Sequence, residues 1–131
     1  MADSGSTFLI VERAHRGAVE AQFSDELYFA RALHRMSGSV DVLLRGPATG
    51  YAIDTGPVPA PPSAHGTALP LADPRHSLRA LLADGAPVWV EEAGLALFGA
   101  SASTRLMPDV RLVARDDDGP DWSKYDRVWF F

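Results

Sequence analysis

Five short apolar runs, each breaking off in polar or turn-forming residues, alternate along the chain with stretches whose apolar positions recur every three or four residues. The first run, Thr7-Phe8-Leu9-Ile10-Val11, has no polar alternation and ends abruptly at Glu12-Arg13-Ala14-His15-Arg16-Gly17. That pattern predicts a strand buried on both faces that runs out into a loop. After Gly17, Val19, Phe23, Leu27, Ala30 and Leu33 keep one helical face apolar. This helix is expected to end near Met36, with Gly38 as its stop and Arg31, His34 and Arg35 beside the negative end of its dipole.

Val40-Asp41-Val42-Leu43-Leu44 is the second expected strand, ending at Arg45-Gly46-Pro47. Residues 46–76 then hold seven of the ten prolines (Pro47, Pro57, Pro59, Pro61, Pro62, Pro70, Pro74), which predicts a long loop or lid with at most one short helix inside it. Asp73-Pro74 reads as a cap and first helical position, with Leu78, Leu81 and Leu82 on one face and Gly85 as the stop. A third strand is expected at Pro87-Val88-Trp89-Val90, breaking at Glu91-Glu92 into the weakly helical Ala93-Gly94-Leu95-Ala96-Leu97-Phe98. Val110-Arg111-Leu112-Val113 is the fourth. An acidic loop and a brief helical turn then lead to Arg127-Val128-Trp129-Phe130-Phe131 as the fifth. Strands alternating with helices predict an α/β fold whose parallel sheet is covered on both faces, formed by residues 1–131 as one domain.

Composition narrows what such a domain does. Seventeen acids against twelve bases give a net charge of −5, which supplies no positive field to draw the chain onto nucleic acid or anionic lipid. No apolar run approaches the roughly 20 residues of a membrane span, and the first residues lack the pattern of a signal peptide, so a cytoplasmic location is expected. The cysteine count is zero, which removes disulfides, thiolate metal sites and thiol nucleophiles together. Glycine-rich phosphate loops and the G-x-S-x-G nucleophile elbow are also missing.

The remaining candidates lie at the C-terminal ends of strands, where open α/β sheets bind ligands. Glu12, Arg13, His15 and Arg16 follow the first strand, Arg45 the second, and Glu91 and Glu92 the third. The plain reading of Glu91 and Glu92 is that they stabilise the positive start of the next helix. The sharper one makes Glu12, Arg13, His15, Arg45, Glu91 and Glu92 the lining of a pocket for a small anionic or polar ligand, with the proline-rich segment as its cover. His15, His34, His65 and His76 have no metal-ligand spacing, and Asp116-Asp117-Asp118 lacks the glycine and distant glutamate of a calcium loop, so neither a metal nor a cofactor is expected. Core packing accounts for Trp89. Trp129, Phe130 and Phe131 cannot all hide on one side of a final strand, which makes them candidates for a subunit interface.

Taken in order, these segments resemble the DsrE/DsrF-like family of sulfur-relay proteins, which includes the Tus subunits of tRNA thiolation and the Dsr subunits of sulfur oxidation. The resemblance covers nearly the whole chain. It rests on Phe8-Leu9-Ile10-Val11 with its polar loop, Phe29-Ala30-Arg31-Ala32-Leu33-His34, Val42-Leu43-Leu44-Arg45-Gly46, the stretch from Leu81-Leu82 through Gly85 to Val88-Trp89-Val90, and the closing Tyr125-Asp126-Arg127-Val128-Trp129-Phe130. It implies three layers around a five-stranded parallel sheet, and homo- or hetero-oligomers of such subunits. It also implies a sulfur-carrying cysteine after the third strand, at the position occupied here by Glu91. A carboxylate cannot accept a sulfane sulfur, so that activity does not carry over.

Two functions of different class follow. The first is a noncatalytic subunit that associates with itself or with a cysteine-bearing DsrE-like paralogue, as a structural partner or as a small-ligand-binding protein in sulfur-related metabolism. The alternative is a small enzyme in which Glu91 or Glu92 works with His15 in acid–base chemistry on a small anionic substrate.

Overall fold

The computed structural model describes residues 5–13, 26–54 and 74–131. The five apolar runs form strands β1 (Thr7–Val11), β2 (Val40–Leu44), β3 (Val88–Glu91), β4 (Arg111–Val113) and β5 (Arg127–Phe130). They make one sheet in the order β4-β3-β2-β1-β5 with every pairing parallel. The register sets Leu9 beside Val42 on one side and Trp129 on the other. The first two strands fall where the sequence places them. β3 is shifted by one residue, to Val88–Glu91, while β4 begins one residue later than expected and β5 ends one residue earlier.

Strand order and the handedness of crossovers decide which face each connection covers. From β1 to β4 the chain steps across the sheet in one direction, and right-handed crossovers keep those connections on one face. Helices α1 (Glu26–Ser37), α2 (Pro74–Ala83) and the single-turn α3 (Glu92–Leu95) all pack there. Their residues Leu27, Ala30, Leu78, Leu81 and Leu95 close on Leu9, Val11, Val42, Leu44, Val88 and Val90. The return from β4 to β5 runs the opposite way and therefore crosses the other face, where residues 122–125 cover Phe8, Ile10 and Leu43. Three layers result, as the sequence predicts.

Helix ends follow their caps. Gly38, at φ 72°, takes the left-handed turn after α1 and donates its N–H to the His34 carbonyl at 2.6 Å, and His34 and Arg35 occupy the last turn. The expected earlier part of α1, with Val19 and Phe23, lies outside the described residues. The proline-rich segment is more structured at its start than a lid: Gly46–Ala52 is a 3-10 helix with Ala48, Thr49, Gly50, Tyr51 and Ala52 buried. Small residues let it sink into the core, and Met107 donates its N–H to the Ala52 carbonyl at 2.8 Å to hold it. Residues 55–73 lie outside the described residues, and Pro74 to His76 belong to α2. The run after β3 is shorter than its composition predicts, ending α3 at Leu95 and tightening into a 3-10 turn at Ala96–Phe98 before Gly99 reverses at φ 100°.

Candidate functional site

Side chains alternate across a strand, so residues just past β1, β2 and β3 share a face when their parities match. Glu12 continues the set of Phe8 and Ile10, Arg45 that of Leu43, and Glu91 that of Trp89. All three emerge at the C-terminal rim of the aromatic face. Arg45 stays extended at φ −126°, ψ 157°, and its N–H donates to the Val11 carbonyl at 3.0 Å, which fixes it between the ends of β1 and β3. Gly46 then turns at φ 51°, a conformation that strains any residue with a side chain, and starts the 3-10 helix.

The Arg45 guanidinium joins the two carboxylates. Its Nε donates to Glu91 Oε1 at 3.1 Å, and its Nη1 lies 3.4 Å from Glu12 Oε1. The ring of Trp122 lies 6.0 Å from its central carbon, at the outer limit of a cation–π contact. Each partly exposed pair contributes up to about 1 kcal/mol, too little to hold the sheet together but enough to hold three side chains in one arrangement. Glu91 thus spends its carboxylate on Arg45, and makes no side-chain hydrogen bond to cap α3.

An open cavity of about 410 Å³ lies against this cluster, lined by Glu12, Arg45, Gly46, Pro47, Glu91, Ala93, Gly94 and Leu97. Gly94 is what lets α3 approach so closely. A Cβ there would sit 2.5 Å from Thr49 Cγ2 and 2.8 Å from the Gly46 carbonyl oxygen. Thr49 is itself fixed by donating its hydroxyl to that same carbonyl at 2.8 Å.

Of the residues singled out from the sequence, Glu12, Arg45 and Glu91 come together. Glu92 does not join them: it points along the other side of α3, 3.9 Å from Arg115, and lines a second cavity of about 350 Å³ with Leu95, Ala96, Gly99, Ala100 and Ser103. Arg13 is tied through its backbone, its N–H reaching the Phe131 carbonyl at 3.3 Å alongside that of Glu12 at 2.8 Å, and its side chain does not line the cavity. His15, His65 and Arg16 lie outside the described residues. His34 packs between helices instead, its Nε2 3.4 Å from the Asp84 carbonyl oxygen. Among the described residues, no group of three or more His, Asp or Glu is placed to hold a metal ion. Gly94, Leu97 and Trp122 were not legible as site residues. Their only signals are a glycine three positions beyond an apolar strand and a tryptophan following a capping aspartate, Asp121, which accepts from the Ser123 N–H at 3.0 Å.

The C-terminal aromatics separate as alternation requires. Trp129 stacks on Phe29 of α1 with ring centres 6.1 Å apart, and Phe130 meets Trp122 edge-on at 5.8 Å on the opposite face. Phe131 is partly buried against the helix-side core, while Trp129 and Phe130 remain 37% and 57% exposed on an edge strand. No helix among the described residues is long and apolar enough to cross a membrane.

Known proteins resemble this chain in fold rather than in sequence. No family model matches it, and no curated protein matches. Among solved structures, the ychN protein of E. coli superposes with a TM-score of 0.71 at 18% identity, over 97% of this chain and 99% of that one. A likeness of that extent establishes the fold, a five-stranded parallel α/β arrangement shared with that protein.

Proposed function

We propose that this chain is a noncatalytic subunit of DsrE-like type, acting in a homo- or hetero-oligomer as a structural partner or a small-ligand-binding protein in sulfur-related metabolism. One observation carries the reading. At the end of β3, where the resemblance implies a sulfur-carrying cysteine, stands Glu91 with its carboxylate committed to Arg45, in a chain with no cysteine anywhere. The scaffold and the cleft are kept while the thiol chemistry is gone, and what such a cleft retains is the capacity to bind. The exposed ring pairs Trp129–Phe29 and Phe130–Trp122 beside the β5 edge support association, since an edge strand leaves backbone groups unpaired and monomers rarely leave clustered aromatic surface in water.

Light scattering on the full chain, alone and mixed with a cysteine-bearing DsrE-like protein from the same source, tests this. The expected result is a species heavier than 14.1 kDa in at least one of the two samples, shifted to the monomer when residues 129–131 are deleted. A monomer in both samples overturns the subunit reading. Intact mass after exposure to a labelled sulfane donor tests the noncatalytic part, because one sulfur retained on this polypeptide would refute it.

A further inference from the structure

The cavity beside Arg45 is lined by two carboxylates and one guanidinium, and the guanidinium is already engaged: its Nε faces Glu91 and its Nη1 faces Glu12. Among the described residues of the lining, the three formal charges leave an excess of one negative. An anion entering here would have to take Arg45 from two carboxylates that hold it and would meet their repulsion as it did so. A cation meets the repulsion of one guanidinium, where an anion meets that of two carboxylates. Glu12 and Glu91 each have a second carboxylate oxygen, and an ammonium brings three donors to a rim where acceptors outnumber donors.

The rest of the lining fixes what that cation is attached to. Pro47, Ala93 and Leu97 supply apolar lining beside the carboxylates, and Leu97 is 65% exposed, a large aliphatic side chain left in water. Gly94 adds no side chain to the lining, and any side chain there would collide with Thr49 and Gly46. Carboxylate acceptors and apolar side chains lining one cavity are complementary to a molecule with a charged end and a short hydrocarbon body. A volume of about 410 Å³ suits a compact ligand of this shape.

We infer that this cleft binds a small organic cation, a primary amine on a short apolar stem, held between Glu12 and Glu91 with its stem on Leu97. The inference rests on the reading of the cleft as a ligand site and adds the ligand's chemical class. It selects a cation from the wider set of polar and anionic ligands that the sequence leaves open.

The test is an NMR titration of the full chain with four probes: n-butylamine, 1,4-diaminobutane, n-butyrate and inorganic sulfate. Both amines are expected to shift the amide resonances of Ala93, Gly94 and Leu97 saturably, and both anions to leave them in place. Glu91→Gln is expected to weaken amine binding by about tenfold, the loss of one charge-assisted hydrogen bond. Glu12→Gln, on a different strand, is expected to act in the same direction, which separates a charge effect from a local disturbance at β3. Arg45→Gln is expected to tighten amine binding by freeing both carboxylates. Saturable binding of butyrate or sulfate, abolished by Arg45→Gln, would overturn the inference and leave the ligand site standing. Saturation by none of the four would overturn the inference and the small-ligand reading together, while the light-scattering result would still decide the subunit reading.

Discussion

The two faces of the sheet are closed by different means. On the helix side, Leu9, Val42, Leu44, Val88 and Val90 are fully buried beneath Leu27, Leu78 and Leu81 from helices α1 and α2. On the other side the cover is a short connection, and the closure is aromatic. Phe8 is stacked by Tyr125 at 4.6 Å and flanked by Trp89 and Trp122 at 6.3 and 5.9 Å, with Trp89 and Tyr125 only partly buried. Aliphatic side chains from helices fill a face completely, whereas a few rings laid over a strand leave its margins open. The margin at the C-terminal end of the aromatic face is where Glu12, Arg45 and Glu91 meet. Stability therefore concentrates on one face and the polar cluster on the rim of the other.

The largest effect expected from this contrast lies on the helix side. Leu78→Ala removes a side chain with no solvent exposure from the contact between α2 and the sheet, and the lost burial together with the cavity left behind costs about 2–5 kcal/mol. Val128→Ala, partly buried on the aromatic face, is expected to cost less. Urea denaturation of the two variants measures both. Equal losses would mean that the faces contribute alike, and the contrast would fail.

Gly94→Ala probes the seam between the helix side and the rim. The added Cβ would lie within 3 Å of Thr49 Cγ2 and of the Gly46 backbone nitrogen and oxygen, so α3 and the 3-10 helix must move apart. Backbone atoms yield poorly, and overpacking of this kind costs about 1–3 kcal/mol. Since Gly46 adjoins Arg45, the same shift is expected to disturb the Arg45–Glu91 pair. Denaturation gives the cost, and the Arg45 side-chain resonances report the disturbance. A variant as stable as the parent with those resonances unmoved would show that the seam does not couple the two regions.

The same contrast explains what could be read from the sequence. β1 was legible to the residue because a strand buried on both faces shows an unbroken run such as Phe8 to Val11, and β2 because Asp41 is the one polar residue between Val40 and Leu44. The α2 helix was legible from Pro74, the leucine spacing and Gly85, each a local signal. Glu12, Arg45 and Glu91 were named as candidates because each follows a strand, and the parallel register brings those strand ends together. Their pairing was not legible, because it depends on the parity of positions 12, 45 and 91 relative to the sheet. That parity also separates Glu91 from Glu92, which sequence adjacency had joined. Trp122 was not legible as a site residue for a related reason. Its place over Phe8 follows from the return crossover passing on the opposite face, a property of strand order rather than of local sequence.

The smallest expected effect tests whether the aromatic face is held by more than ring contact. Tyr125 donates its hydroxyl to Asp41 Oδ2 at 2.5 Å, so one hydrogen bond to a carboxylate fastens the ring that stacks on Phe8. Removing it with Tyr125→Phe keeps the stacking and costs about 1 kcal/mol at neutral pH, the lower end for a bond to a charged group because the pair is half-exposed. Burial, and then the Asp41 carboxylate, push the Tyr125 phenol well above its ordinary value of 10.0. A phenol raised in the folded state resists ionisation there while the unfolded chain ionises freely. Its contribution is therefore complete below pH 10.0 and is lost as the pH climbs from there through the folded value. The parent protein is expected to lose stability more steeply than Tyr125→Phe in that alkaline window, so that the gap between them narrows as the pH rises. Thermal unfolding of both proteins at neutral pH and at increasing alkaline pH measures the gap. A constant gap would show that the hydroxyl contributes no ionisation-linked stability.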